Sequence, residues 1–362
     1  MLFLTRLFGV TGSDAERDLS TEKAVIEEIT EKVLLLQAKA AAQQKSPLRR
    51  GTHAKGTSAR AQFEVFDVTA GREPRLGELL AKGIFAKPGI YPAIVRFGNA
   101  DSKVNSDFKA DVRSLSISVE LARDGSKVPG ASVARQDFSL QNTATLPIND
   151  AAAFLATMKL LTASNPAKGL WSLSFKDKLR VMRTLTLVAA QAHQKIKPYQ
   201  QLRYGSNTPF RHGPAAIVKY SATPFPDNAA LPLQKSNPNA LQDELARHLR
   251  EDRKMSGFDF GVQFLDAGSM TYWGKHQDVN FWMENASVQW KESEAPFHSV
   301  ARLTLLASSQ LPPSEAEEVC FDVTGHSTAD STPVGSINRA RWMGELASKK
   351  ARTVPQTSAA RG

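Results

Sequence analysis

The sequence predicts an α+β fold in which helices are inserted between the strands of a closed or strongly curved antiparallel barrel. The first indication is strict alternation within residues 114–121, where Leu115, Ile117 and Val119 are separated by single polar residues. Such alternation is typical of a strand with one buried face. The second indication is that strands of this kind are interrupted by segments whose apolar residues recur three and four positions apart, which is the helical period. Many strands with helices between them are typical of this fold class.

The elements follow in order along the chain. Residues 20–44 are predicted to form one amphipathic helix, which ends before Ser46-Pro47 because the residue preceding a proline disfavours helical geometry. Further strands are predicted at 61–67, 90–97, 114–121, 215–221, 258–265, 288–290 and 300–306. Further helices are predicted in an insert at about 150–200, where Asp150 is a cap candidate, at 241–254 and from Asn338 onward.

The domain organisation expected from these elements has three parts. Residues 1–44 are an N-terminal arm followed by the amphipathic helix, residues 45–352 are the barrel domain with its helical insert, and residues 353–362 are a disordered tail. The apolar start of the arm is interrupted by Arg6 and is followed by no cleavage site, so it does not resemble a signal peptide. The amphipathic helix can dock on its own barrel or on a second copy of the chain, which makes a homo-oligomer one expectation.

Composition excludes several classes of protein. The 362 residues contain one Cys, which excludes an intramolecular disulfide framework and a multi-cysteine zinc or iron–sulfur site. No apolar run approaches the roughly 18 residues of a membrane helix, so no membrane span is expected. The default compartment for such a chain is the cytoplasm.

The net charge of +10 is unevenly distributed. Residues 45–60 carry five basic residues and no acid, and residues 339–361 carry six basic residues and one acid. These segments are either two solvated faces or two halves of one pocket for an anionic ligand. Aromatic residues are not interleaved with the charges, so no nucleic-acid partner is expected.

The familiar catalytic motifs are absent. The sequence has no HExxH, CxxC, GxSxG, GxGxxG or P-loop pattern, which leaves zinc hydrolases, serine hydrolases and dinucleotide enzymes without support. One short loop, RGTHAKG at 50–56, enters a predicted strand and places His53 between small residues. On its chemistry alone, His53 is either an exposed loop histidine or a side chain directed into a pocket. Cys320, beside Phe321 in an apolar stretch, is expected to be a buried structural thiol.

The order of several segments resembles the haem catalases, and most closely the short catalase-like proteins that keep the barrel and lack the large C-terminal domain. The resemblance covers roughly residues 22–352. The segments that carry it are R-x-x-H-A-K-G at 50–56, V-R-F at 95–97, D-x-R at 111–113, the stretch 137–150 with Gln141-Asn142-Thr143, and the later stretches 203–213, 219–221, 286–290, 300–304 and 333–341. It implies a catalase-like antiparallel barrel that binds haem b and acts on hydrogen peroxide or an organic hydroperoxide.

The resemblance also implies roles on the distal side of the haem. His53 matches the histidine that moves a proton between the two peroxide oxygens, and imidazole suits this task near neutral pH. Arg50 and Arg96 match arginines that pair with the haem propionates. The distal amide falls at Gln141 or Asn142, and Phe154 matches an aromatic residue of the distal wall or is a core residue of its helix.

The proximal side departs from the family pattern. The family ligates iron with a tyrosinate in R-x-x-x-Y, followed by a second arginine, and here Arg341 and Arg352 occupy the arginine positions while Glu345 occupies the tyrosine position. Glu345 is either an oxygen ligand of iron or an exposed helix residue paired with Lys349. The serine or threonine that often follows V-R-F is replaced by Gly98.

Three functions remain open at this stage. The leading hypothesis is a haem-dependent oxidoreductase of peroxidase type. The second is a catalytically degenerate catalase-fold protein that binds haem, another apolar ligand or a partner. The third is a lipid-hydroperoxide isomerase.

Overall fold

The computed structural model describes residues 22–45, 47–48, 50, 52–123, 126–127, 134–250 and 256–353. The predicted arm at 1–21, the end of the predicted helix at 251–254 and nearly all of the predicted tail lie outside these residues. Thr353 ends the last helix.

The strands follow the alternating segments of the sequence. They are β1 (Gly56–Val65), β2 (Gly89–Asn99), β3 (Arg113–Glu120), β4 (Ala122–Arg123), β5 (Ser126–Lys127), β6 (Arg135–Gln141), β7 (Tyr204–Gly205), β8 (Phe210–His212), β9 (Ala216–Pro224), β10 (Ser256–Phe264) and β11 (Phe297–Gln310). The helices are α1 (Lys23–Gln44), α2 (Pro74–Leu80), α3 (Ala151–Thr162), α4 (Pro166–Ser172), α5 (Phe175–Ala192), α6 (Ala240–Arg250), α7 (Val279–Glu284), α8 (Pro313–Glu318) and α9 (Ser336–Thr353).

Eight strands close into an antiparallel barrel, which confirms the predicted α+β class. Neighbouring strands pair in the order β10-β11-β1-β2-β3-β6-β7-β9, and β9 pairs with β10 to complete the ring. The alternation of β3 sets its register: Ile117 lies opposite Val95 on β2 and Phe138 on β6, and all three side chains are buried inside. A closed ring leaves no unpaired strand edge between its ends.

The barrel interior is filled by aromatic side chains. Phe138 and Phe260 lie 4.9 Å apart between ring centroids, and Phe63 meets Phe260 edge-on at 5.1 Å. Phe85 and Tyr220 complete this cluster. Because rings at these distances are in contact, the interior is a packed core and a ligand must bind outside the barrel.

Three helices form a layer on the outer face of the barrel. Asp150 caps α3, as predicted, by accepting a hydrogen bond from the Ala153 amide at 2.8 Å. The α1 helix packs against α3 and α9 of its own chain through buried Ile26 and Ile29. Arg339 of α9 fixes this layer, since its guanidinium donates to Glu22 at 2.7 Å and to Glu284 of α7 at 2.9 Å.

One predicted strand is wrong. Residues 288–290 lie in the connection between α7 and β11 and form no ladder. Val288 and Trp290 are nevertheless buried, because this loop packs with Ile217 and Leu265 in a second apolar cluster. These residues are apolar because they are buried in the loop, and not because they pair in a strand. No described helix has the length and apolar character needed to cross a membrane.

Candidate functional site

A cavity lies between the outer face of the barrel and the helices α1 and α9. The cavity has a volume of about 180 Å³ and opens to solvent at its mouth. Seven predicted site residues line it: Arg50, His53, Arg96, Phe154, Arg341, Glu345 and Arg352. They come from four separate segments of the chain, so the fold brings together residues that the sequence places about 300 positions apart.

His53 stands at the entrance of β1 in a strained backbone conformation. Its φ of 56° is in the left-handed region, which is uncommon for a residue with a Cβ atom. Its amide donates to the Ala100 carbonyl at 3.2 Å, and its carbonyl accepts from Arg96 Nη2 at 3.0 Å. These bonds hold the loop so that the imidazole faces the cavity.

The electrostatic surroundings keep the His53 imidazole neutral. Burial, followed by the charges of Arg96 and Arg50, lowers the pKa of His53 to about 4. Its Nδ1 atom is buried and has no hydrogen-bond partner among the described residues. A neutral imidazole carries one unprotonated nitrogen, which can accept a proton.

The rest of the H-A-K-G motif anchors the loop. Lys55 is buried and its Nζ lies 2.7 Å from Asp107, which is also fully buried. The same Nζ donates to the Asn105 carbonyl at 3.0 Å. This pair was not predicted from the sequence, because nothing in the local pattern connects a lysine with a carboxylate about 50 residues away.

Arg96 packs over two glycines. A Cβ atom at Gly56 would lie 2.6 Å from Arg96 Cζ, and one at Gly98 would lie 2.9 Å from Arg96 Nη1. Gly98 therefore makes room for the guanidinium at the position where the family often has serine or threonine. The position of Arg96 depends on both glycines.

The wall on the barrel side is formed by neighbouring strands. Arg96, Ser116 and Ser139 are cross-strand neighbours on β2, β3 and β6, and their side chains share the outer face of the sheet. Ser114 belongs to the next row and also lines the cavity. These serines were not predicted as site residues, although the strict alternation of β3 already placed their side chains on the outer face.

The α9 helix supplies the facing wall. Arg341, Gly344, Glu345, Ser348 and Arg352 recur at spacings of three and four, which directs them to one side of the helix. Gly344 faces α1, where a Cβ atom would be in ordinary van der Waals contact with Val33 at 3.4 Å.

Glu345 lines the cavity at its open mouth, where it is exposed to solvent and pairs with Arg341. Its Oε1 lies 3.8 Å from Arg341 Nε. The cavity is open, so 46 % of the side-chain surface is accessible. The surrounding protein nevertheless raises the pKa of Glu345, an effect that Arg341 opposes and the charge of Asp322 reinforces.

The cavity is strongly basic. Arg50, Arg96, Arg341, Lys349 and Arg352 line it, against the two carboxylates of Asp322 and Glu345. Arg341 Nε and Nη2 are buried and make no hydrogen bond within the described residues. The two basic segments of the sequence therefore meet in one pocket, which suits an anionic ligand.

The predicted distal amides do not reach this cavity. Gln141 lies opposite Ser114 and two residues after Ser139 on the outer face, but it is not part of the cavity lining. Asn142 accepts a hydrogen bond from the Arg113 amide at 2.6 Å and donates to Gln194, and it borders a different pocket beside Lys219. The alternation of side chains at the end of β6 separates the two amides.

The cysteine differs from the expectation. Cys320 is half-buried and lines the cavity on the segment that follows α8, between Val319 and Phe321. The carbonyl of Val319 accepts a hydrogen bond from Arg50 at 2.8 Å. In the part of the chain that the structure describes, no three His, Cys, Asp or Glu side chains lie close enough together to hold a metal ion.

Comparison with known proteins gives matches of structure and not of sequence. No protein-family model matches the chain, and no curated protein matches it by sequence. A fungal catalase solved at 1.9 Å superposes with a TM-score of 0.64 and 14 % identity, over 88 % of this chain and 62 % of the catalase.

Two further solved structures of catalases are similar to this chain in the same way. A bacterial catalase superposes with a TM-score of 0.59 at 14 % identity, over 88 % of this chain and 60 % of its own. Catalase A from Saccharomyces cerevisiae superposes with a TM-score of 0.59 at 15 % identity, over 87 % and 62 %. This chain thus spans about three fifths of the length of the catalases it matches. With the closed eight-stranded barrel and its helical layer, the chain has a catalase-like fold.

Proposed function

We propose that the chain is a haem-binding oxidoreductase that acts on hydrogen peroxide or an organic hydroperoxide. The observation that carries the proposal is the gathering of seven predicted haem-site residues in one cavity. They include the distal histidine candidate, three propionate-binding candidates and a proximal oxygen donor.

The lining of the cavity suits haem in its chemistry. Its walls are a row of small side chains on the barrel and one side of α9, and its remaining lining includes the apolar side chains of Ile29, Val33 and Phe154. The orphaned polar atoms of Arg341 need partners that a ligand with anionic groups would supply. The two propionates of haem are negatively charged and would pair with the arginines of the cavity.

The residues divide into two sets on this proposal. Arg50, Arg96 and Arg352 would hold the propionates through charge-assisted hydrogen bonds. Glu345 would be the proximal ligand, and Arg341 would stabilise its carboxylate form. When bound, haem would supply the redox chemistry that reduces the peroxide O–O bond with two electrons.

His53 would move the proton in this reaction. As a neutral imidazole it accepts the proton of the hydroperoxide at its free nitrogen, and it returns the proton to the leaving oxygen. A hydroperoxide then gives an alcohol and water on taking up two electrons and two protons. The electrons come from a second peroxide or from an organic donor, and peroxidase-type turnover is favoured because a carboxylate replaces the phenolate.

The test is hydroperoxide consumption by hemin-loaded protein. His53→Ala should lower the rate by about 100-fold or more, the usual contribution of a proton-transferring residue, with haem content unchanged. His276→Ala, in an exposed loop outside the cavity, should leave the rate unchanged. Equal rates for wild type and His53→Ala would refute the assigned role.

A second candidate function is ligand binding without redox chemistry. The observation that favours it is Glu345 in the cavity where the family has a tyrosine. On this alternative, the protein takes up haem or another anionic apolar ligand, and the loaded protein consumes no hydroperoxide whether or not His53 is present.

A further inference from the structure

The helices α4 and α5 carry an exposed apolar stripe. It consists of Trp171, Phe175, Leu179, Met182, Leu185 and Val188. The exposed fractions of Trp171 and Phe175 are 80 % and 77 %, which is unusual for the largest apolar side chains. Exposed apolar residues grouped in this way are typical of a surface that binds a protein or a membrane.

The stripe residues at the start of α5 are separate from the side by which this helix packs on the protein, whereas Val188, seven residues after Val181, lies on that packed side. Val181 and Thr184 are buried against the neighbouring helices. At 3.6 residues per turn, Phe175, Leu179 and Met182 project from the opposite side of the helix. The α5 helix therefore has two apolar sides, of which one is covered by its own chain.

Basic side chains flank the stripe. Within α5, Lys176, Lys178, Arg180 and Arg183 stand against one acidic residue, Asp177, which is bonded to Arg180 at 2.7 Å. Lys178 Nζ lies 5.2 Å from the ring centroid of Trp171, so positive charge adjoins the most exposed aromatic residue.

A second exposed tryptophan adjoins the same basic side. Trp273 and Gly274 form the tip of a tight turn, in which the Tyr272 amide donates to the Lys275 carbonyl at 2.8 Å. Both tip residues have positive φ, and Trp273 is 86 % exposed. Tyr272 lines a cleft together with Arg180 and Arg183, which places the turn next to the basic side of α5.

We propose that the surface formed by the α4–α5 stripe and the 272–275 turn docks on an anionic lipid bilayer. Aromatic and aliphatic side chains would enter the boundary between headgroups and acyl chains, and the flanking lysines and arginines would contact acidic headgroups. The α5 helix lies in the plane of such a surface, because its basic residues prevent it from crossing.

A second copy of the chain fits this surface less well. A stable interface takes about 20–30 residues from each partner, whereas the stripe presents six large apolar side chains. In a two-fold dimer, the basic residues that border one stripe would also face those of the other, with repulsion between like charges. Acidic lipid headgroups provide the opposite charge.

Co-sedimentation of the purified full-length chain with lipid vesicles tests the proposal. We expect binding to vesicles of equal parts phosphatidylserine and phosphatidylcholine, and little binding to pure phosphatidylcholine. Binding should weaken as salt is raised, because headgroup attraction is screened. No step of this experiment depends on haem.

Variants separate this surface from the rest of the molecule. The double variant Phe175→Glu, Leu179→Glu should lower the bound fraction by about tenfold or more, and Arg183→Glu should lower it about fivefold or more. Ile90→Glu makes the same kind of change at an exposed apolar residue of β2 and should bind as wild type does. Thermal unfolding of each variant verifies that it is folded.

Three outcomes would overturn the proposal. The first is no binding to the acidic vesicles. The second is binding that the double variant retains. The third is a dimer in solution that Phe175→Glu dissociates, which would identify the occupant of the stripe as a second copy.

Discussion

At the scale of single residues, His53 combines a strained backbone with an imidazole that stays neutral. The strain persists because the loop is fixed from several sides, including the buried Lys55–Asp107 pair. The neutral state follows from burial and from the neighbouring arginines. Both properties suit a residue that accepts a proton in a defined position.

The loop anchor gives the first prediction. Lys55→Met leaves the carboxylate of Asp107 buried without its cation, and such a change costs about 3–5 kcal/mol. We expect a lower free energy of unfolding in urea by this amount, and weaker hemin binding because the loop that carries Arg50 and His53 is released. Lys109→Met, which removes the more exposed pair with Asp101, should cost less than about 1 kcal/mol. Equal losses for the two variants would contradict the anchoring role.

Glu345 gives the second prediction at this scale. In hemin-loaded protein, Glu345→Tyr should move the absorption and electron paramagnetic resonance spectra toward those of a phenolate-ligated ferric haem. Glu315→Tyr on α8, outside the cavity, should leave both spectra unchanged. Unchanged spectra in Glu345→Tyr would show that residue 345 does not ligate the iron.

Several site residues were predictable one by one, and others were not. His53, Arg50, Arg96 and the α9 residues were found because the segments that carry them keep their order and their local spacing. The amides at 141 and 142 could not be assigned, because a one-residue step at the end of β6 reverses the side of the sheet. Lys55 with Asp107, and the serines of the barrel-side wall, depend on pairing between distant segments.

At the scale of elements, the cavity depends on how α1, α3 and α9 are joined. Arg339 is 8 % exposed and bridges Glu22, at the start of α1, to Glu284 at the end of α7. Burial alone would lower the pKa of Arg339, but the carboxylates of Glu284 and Glu22 outweigh this effect and raise the pKa above its usual range. The guanidinium therefore remains charged and holds the wall of the cavity.

Removing this bridge gives the third prediction. Arg339→Met leaves two largely buried carboxylates without their cation, which should lower the free energy of unfolding by about 3–5 kcal/mol. Hydrogen exchange should show the largest loss of protection in α1 and α9. Arg302→Met, which breaks an exposed pair with Glu64, should cost less than about 1 kcal/mol. A similar cost for both variants would refute the bridging role of Arg339.

The elements themselves were largely predictable from periodicity. The helix predicted at 20–44 is found at 23–44, and the strand predicted at 90–97 is found at 89–99. The strands β4, β5, β6, β7 and β8 were not predicted, and of these β4, β5, β7 and β8 have only two or three residues, which carry no period. The apolar residues at 288–290 gave a false strand, because burial in a loop produces the same composition as burial in a sheet.

At the scale of the whole molecule, acid should destabilise the fold through histidines that are buried in the neutral form. His212 is 1 % exposed, and burial lowers its pKa to about 4. Its pKa is higher in the unfolded chain, at about 6.5. The unfolded chain therefore binds a proton first as the pH falls, so stability is complete above about pH 6.5 and is lost progressively down to about pH 4.

This linkage gives the fourth prediction. Between pH 7 and pH 5, protonation linked to His212 should lower the free energy of unfolding by about 2 kcal/mol. His212→Gln can keep a donor for the Leu80 carbonyl, which His212 Nε2 contacts at 3.2 Å, and it removes the titration. Urea unfolding at both pH values should show a smaller loss in the variant by that amount. The same loss in both proteins would contradict the assignment to His212.

The barrel and its cavity explain why the fold resembles the catalases although the sequences differ so widely. Phe63, Phe138 and Phe260 fill the barrel, which is a demand that many sequences can meet. The cavity places specific demands on its residues, and on the proposed function His53, Arg50 and Arg96 would serve one side of the haem and Glu345 the other. The molecule has the catalase-like fold, with these residues in one cavity on its outer face.

Titration of the purified protein with hemin, followed by its absorption spectrum and by iron analysis of the same sample, tests the central claim most directly. We predict saturable uptake with a Soret band at one haem per chain, and weaker uptake by the double variant Arg50→Ala, Arg352→Ala. Absence of a Soret band, with no bound iron at excess hemin, would contradict the assignment of this cavity as a haem site.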